Sequence, residues 1–107
     1  MKIVRVQYTT TESYAATNQR NIQEIVEELK KLNHPGIKYT AYQLDDGKTF
    51  IHLDHFQNEA AHEVLQSVDS FKKFASGLSK SGLEVEPKLE LLSVAASTED
   101  FLVNPAG

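Results

Sequence analysis

Between Thr49 and Phe56 the chain reads TFIHLDHF, which puts two of its four histidines beside one aspartate. On an extended strand, residues two apart share a face, so His52 and Asp54 can act together while His55 points away. A histidine, an aspartate two residues on and a distant second histidine are the ligand types of a non-haem iron triad. His62 is the nearest further histidine, but it falls in the following helix. The spacing alone is a weak signal, and hydrogen-bonded interface residues are the plainer reading of His52 and Asp54. No metal is expected. The second chemistry is acid–base. Histidine titrates near neutrality, and a neighbouring carboxylate raises its pKa and fixes its tautomer. His55 and His52 are the catalytic candidates. His55 is expected to accompany Ile51 and Leu53 into a pocket between sheet and helices, and a structural histidine is the alternative there.

The aromatic residues supply walls for such a pocket. Tyr8, Tyr39 and Tyr42 fall in strand-like stretches, where a phenol ring can pack and its hydroxyl can meet a ligand. Phe71 and Phe74 stand three apart on a helical stretch, core anchors first and a ligand wall second. His34, beside Pro35-Gly36, fits a role at a helix carboxyl end. Glu24, Glu27 and Glu28 read as a solvated helix face. There is no cysteine, phosphate-binding glycine loop, nucleophile elbow or zincin pattern.

These residues need elements to hold them. Lys2–Thr9 alternates, with Val4, Val6 and Tyr8 on one face and Ile3, Arg5 and Gln7 on the other. Thr11 or Ser13 can cap a helix from about Tyr14 to Leu32, where Ile22, Ile25, Val26, Leu29 and Leu32 recur at helical spacing. Asn33-His34-Pro35-Gly36 ends it. Ile37–Leu44 is a second strand. Asp45-Asp46-Gly47-Lys48 signals a hairpin into the third, Thr49–Phe56. Asn58 caps a helix that Asp69-Ser70 interrupts and re-caps. Lys88–Ala95 is the fourth strand. The order is β-α-β-β-α-β, an α+β, ferredoxin-like four-stranded antiparallel sheet with helices on one face. Residues 1–96 make one domain, and 97–107, with Phe101, Leu102 and Val103, a tail that docks or frays.

The 107 residues suffice for one core, and a net charge of −4 argues against a nucleic-acid partner. No apolar run approaches a membrane span, and a cytoplasmic location is expected. With Ile51 and Leu53 under the helices, the open face of the sheet would carry Arg5, Phe50, His52, Asp54 and Phe56. Such a face is too apolar to leave wet and suits a two-fold homodimer of packed sheets. Arg5, Phe50, Asp54 and Phe56 are the expected interface residues.

Gly36-Ile37-Lys38-Tyr39 is similar to the glycine-apolar-x-Tyr entry to the second strand in the antibiotic-biosynthesis-monooxygenase-like family. Thr49–Phe56 with Gln57-Asn58-Glu59 resembles that family's third strand and acidic helix start, and LQSVDSFKKF, from Leu65 to Phe74, resembles its helix pattern. The resemblance covers roughly Lys2 to Ala95. It implies dimeric α+β barrels. It also implies an enzyme without a cofactor, acting with oxygen on a phenolic or quinol-type aromatic. A haem-degrading branch has an asparagine on the first strand, a tryptophan in the second helix and a histidine after its F-K pattern. This chain has Gln7, no tryptophan, and Phe74-Ala75, so haem degradation is not expected. Gln7, Tyr39, Phe71 and Phe74 are the ligand-binding candidates. Val64 and Ser70 stand where family members often carry histidine. That leaves a second reading open: a non-catalytic homodimeric module that binds a small hydrophobic molecule or has a structural role.

Overall fold

The computed structural model describes residues 1–99. In chain order the elements are β1 (Lys2–Thr9), α1 (Ala15–Leu32), β2 (Ile37–Gln43), β3 (Thr49–Phe56), α2 (Glu59–Ser67), α3 (Asp69–Lys80) and β4 (Val85–Leu92). The sheet order is β2-β3-β1-β4, and every neighbouring pair is antiparallel. The ferredoxin-like order therefore holds, with the second helical segment split at Val68 into α2 and α3.

Local chemistry sets the boundaries. Tyr14 N–H donates to the Thr11 hydroxyl ahead of α1. The reversal after α1 falls on Asn33, at φ 51° in the left-handed region, rather than on Gly36. In the β2–β3 hairpin the Asp46 carboxylate accepts from Lys48 N–H, Thr49 N–H and the Thr49 hydroxyl. Gly47 supplies the positive φ of 76°. The Asn58 side chain accepts from Ala61 N–H and caps α2. β4 begins at Val85, three residues before the expected Lys88, and contains Pro87. An edge strand can hold a proline, because one of its sides makes no ladder bonds.

The structure corrects the expected faces of β3. Residues directly opposite in an antiparallel pair share a face. The register sets His52 opposite Val6, Asp54 opposite Val4 and Phe50 opposite Tyr8. Phe50, His52, Asp54 and Phe56 accordingly lie buried on the core side, whereas Ile51, Leu53 and His55 are only half-buried on the other face. The larger rings decide this. An aromatic side chain buries roughly 150–250 Å², more than an aliphatic one, so two phenylalanines outweigh an isoleucine and a leucine. Phe50, Asp54 and Phe56 are thus core residues of one subunit and not part of an exposed face, as expected above. Arg5 does lie on the open face, where its guanidinium donates to Glu90 of β4 and to Gln7.

The core joins Val4, Tyr8, Phe50 and Phe56 of the sheet to Ile22 and Ile25 of α1, Ala61 and Leu65 of α2, and Phe74 and Leu78 of α3. Leu32, expected on the inner stripe of α1, is exposed instead. The tail residues Phe101, Leu102 and Val103 lie outside the described residues.

Candidate functional site

On the core side of the sheet one polar chain crosses four elements. Asn18 of α1 donates through Nδ2 to the Tyr8 hydroxyl on β1, at 2.9 Å. Tyr8 Oη stands 2.8 Å from His52 Nε2 on β3. His52 Nδ1 stands 2.9 Å from the Tyr39 hydroxyl on β2. Phe74 of α3 closes over the imidazole with ring centroids 5.2 Å apart. Tyr8, Asn18, His52 and Asp54 are all at least nine-tenths buried. Each member is here because its position on a strand or helix faces the core: Asn18 precedes Ile22 by one helical turn, and Tyr8 and His52 continue the alternation of Val4 and Val6.

Asn18 donates to Tyr8 Oη, and the neutral imidazole lies between the two phenol oxygens with one ring nitrogen at each, so that in either tautomer it donates to one tyrosine and accepts from the other. Burial pushes the His52 pKa down to about 4, which keeps the ring uncharged at neutral pH. Burial also raises both phenols, and the charge of Asp54 adds to the rise at Tyr39. Asp54 itself is pushed up to about 7 by burial. Its Oδ1 and that of Asn18 are buried with no hydrogen-bond partner among the described residues.

A groove of about 390 Å³ lies beside this chain, between the carboxyl half of α1 and β2. Val26 and Leu29 line one wall, Ile37 and Tyr39 the other, with Lys30 and His34 among its polar residues. Tyr39 is the residue shared by groove and chain. His34 Nδ1 accepts from Gly36 N–H, which leaves the hydrogen of the neutral ring on Nε2.

The expected site residues are divided by the sheet. His52, Tyr39, Phe74 and Phe71 lie on the core side, Phe71 packed against the core with its ring 5.8 Å from Phe74. His55 does not enter the pocket between sheet and helices as expected, because it sits opposite Ile3 and Lys38 on the open face. Gln7 is on that face too, accepting from Arg5 at 2.7 Å, and does not reach the groove. Sequence reasoning missed Asn18. Its signal was its place on the apolar stripe of α1, where a polar residue is expected to have a buried partner. Among the described residues no group of three or more His, Asp or Glu side chains could hold a metal ion.

No family model matches the sequence, and no curated protein matches it. Solved structures do. One named as an antibiotic biosynthesis monooxygenase superposes with a TM-score of 0.75 over 90% of this chain and 100% of its own, at 13% identity. The fold is that of the antibiotic-biosynthesis-monooxygenase-like proteins. A Nitrosomonas europaea protein provisionally given the same name matches with a TM-score of 0.76, 10% identity, 90% of this chain and 100% of its own. A Pseudomonas aeruginosa protein matches at 21% identity and a TM-score of 0.73, over 89% of this chain and 94% of its own. No helix among the described residues is long and apolar enough to cross a membrane.

Proposed function

We propose that the chain is a small cofactor-independent monooxygenase acting on a phenolic or quinol-type aromatic held in the groove between α1 and β2. The observation that carries this is the double position of Tyr39, which lines the groove and is held through its hydroxyl by His52. A substrate hydroxyl at Tyr39 would meet a phenol oxygen already oriented by the buried chain, while Leu29, Ile37 and Val26 accept the ring. Loss of the substrate's proton gives an electron-rich phenolate, the form that reacts with dioxygen. One oxygen atom enters the ring, the other leaves as water, and the phenol is oxidised to a quinone. His52 serves by fixing Tyr39. The names of the structural relatives support an oxygenase, and the substrate class is our reading.

The functional unit in this proposal is a homodimer. Ile51, Leu53, Tyr42 and Leu92 share the open face with the Arg5–Glu90 pair, and sheets packed face to face would cover them. Leu89 and Leu91 stand exposed on the other face of β4, opposite Val6 and Val4.

The experiment is oxygen uptake with a panel of quinols and phenols. Wild type should consume oxygen, and Tyr39→Phe and His52→Gln should each lower kcat by roughly tenfold or more, the lower range for one lost acid–base or positioning group. Absence of turnover across the panel, or variants equal to wild type, would refute the reading. One observation favours a non-catalytic binding module instead: His52 and Asp54 are buried behind the groove rather than in its wall. Ligand binding without turnover would select that module.

A further inference from the structure

We propose that the groove between α1 and β2 takes an aromatic carboxylate, with the acid group at Lys30 and His34 and the ring directed toward Tyr39. The inference rests on the reading above for the place of the ring, and it adds the group that anchors the ligand's other end.

The charge of the lining is one-signed. Its charged side chains are Lys30 and Lys38, its other polar residues are Asn33, His34 and Tyr39, and no carboxylate is among them. The chain as a whole is acidic, with 15 Asp and Glu against 11 Lys and Arg. A groove that gathers cations in an acidic protein attracts a ligand of the opposite charge.

Lys30 brings a charge that nothing else consumes. The ion pairs among the described residues engage Lys2, Arg5, Lys48 and Lys73, and Lys30 enters none of them. A lysine in the last turn of a helix often serves only to offset the helix dipole. Here Lys31 stands in that turn as well, outside the groove, and its charge acts on Glu28. Lys30 is the one of the two that lines the groove.

His34 is held in a fixed orientation. Its Nδ1 accepts from Gly36 N–H at 3.0 Å, so the neutral ring carries its hydrogen on Nε2. The ring also lies close over Gly36, where an added Cβ would stand 3.0 Å from His34 Cε1. Glycine at this position lets the imidazole and the backbone approach each other. A lysine ammonium and an imidazole N–H can together satisfy the two oxygens of a carboxylate.

The rest of the groove suits a ring. Val26, Leu29 and Ile37 line it, and its volume is about 390 Å³. That is the small end of the roughly 300–1,000 Å³ found for small-molecule sites, and it fits one or two fused rings. The turn Asn33-His34-Pro35 lies at the carboxyl end of α1, whereas Tyr39 lies further along β2. Acid group and ring hydroxyl therefore meet different levels of the groove, and the substrate class becomes a hydroxylated aromatic acid.

The test compares 2-naphthoate with its neutral amide, 2-naphthamide, by fluorescence titration at about pH 7, where the acid is ionised. Wild type should bind the naphthoate roughly tenfold more tightly, the lower end for a hydrogen bond to a charged group. Lys30→Met and His34→Phe should each narrow this preference and leave 2-naphthamide binding unchanged, whereas Lys30→Arg should keep it. Equal affinities in wild type, a preference undiminished in either neutral variant, or no binding of 2-naphthoate would each overturn the proposal. Acetate competing as strongly as 2-naphthoate would overturn it too, because the ring would then contribute nothing. The hydroxyl is tested separately: 6-hydroxy-2-naphthoate should bind more tightly than 2-naphthoate to wild type, and no more tightly to Tyr39→Phe. A hydroxyl without effect would count against Tyr39 as the phenol's partner and leave the carboxylate preference standing.

Discussion

At the scale of single residues, His52 and Asp54 are buried with opposite consequences. The fold holds His52 neutral, with a pKa near 4 against 6.5 for the free side chain, so its contribution to stability is lost as pH falls through that range. It holds Asp54 protonated, with a pKa near 7 against 3.8, so stability is greatest at low pH and lost as pH rises through 7. Between pH 4 and 6.5 the two slopes oppose each other in the wild type. Removing one should expose the other. Relative to wild type, Asp54→Asn should gain stability on going from pH 4 to 6.5, by on the order of 3 kcal/mol. His52→Gln should lose stability over the same interval. Urea unfolding at a series of pH values checks this, and parallel slopes for the two variants would contradict the burial of either group.

At the scale of elements, the site depends on how α1, α2 and the sheet are set against one another. α1 brings Asn18 to Tyr8 and, at its other end, forms a wall of the groove with Leu29 and Lys30. α2 starts where the Asn58 side chain accepts the Ala61 amide, directly after β3 delivers Phe56 to the core. Asn58→Ala should cost about 1 kcal/mol, the usual loss for a helix cap, measured as a shift of the denaturant midpoint with unchanged slope. α2 supplies none of the four residues of the Asn18–Tyr8–His52–Tyr39 chain, so its fraying should leave the affinity for a phenolic ligand within a few-fold of wild type. A large loss of affinity would place the ligand nearer α2 than the groove.

At the scale of the whole molecule, the described residues form a sheet with helices on one side. Three helices close one side, while the other presents Leu53, Ile51, Tyr42 and the Arg5–Glu90 pair. Such a surface costs little to hold in water only if another surface covers it. The homodimer reading therefore predicts that Leu53→Arg, placed on this face and away from the buried chain, yields a monomer with unchanged far-ultraviolet circular dichroism. Light scattering at micromolar concentration checks it. A monomeric wild type would refute the dimer, and a dimeric Leu53→Arg would move the interface to β4, with Leu89 and Leu91.

The order of elements was legible in the sequence because its signals are local: alternation in Lys2–Thr9, Asp46-Gly47 at the hairpin, Asn58 ahead of Glu59, Pro35 after α1. Each acts within a few residues, and each appears in the structure. The His52–Asp54 pair was legible as well, since a period of two puts both on one side of a strand whatever the fold. Which side was not. A strand with Phe50, His52, Asp54 and Phe56 on one edge of its pattern and Ile51, Leu53 and His55 on the other can bury either set, and the choice depends on what the neighbours offer. Val4, Val6 and Tyr8 enter opposite the even-numbered residues only because β1 pairs with β3 in one register. Asn18 and Tyr39 come to His52 from stretches 34 and 13 residues away in sequence, and only tertiary packing could join them. The reactive residue types were thus set by the sequence, and their assembly into a chain ending at Tyr39 by the burial of two phenylalanines.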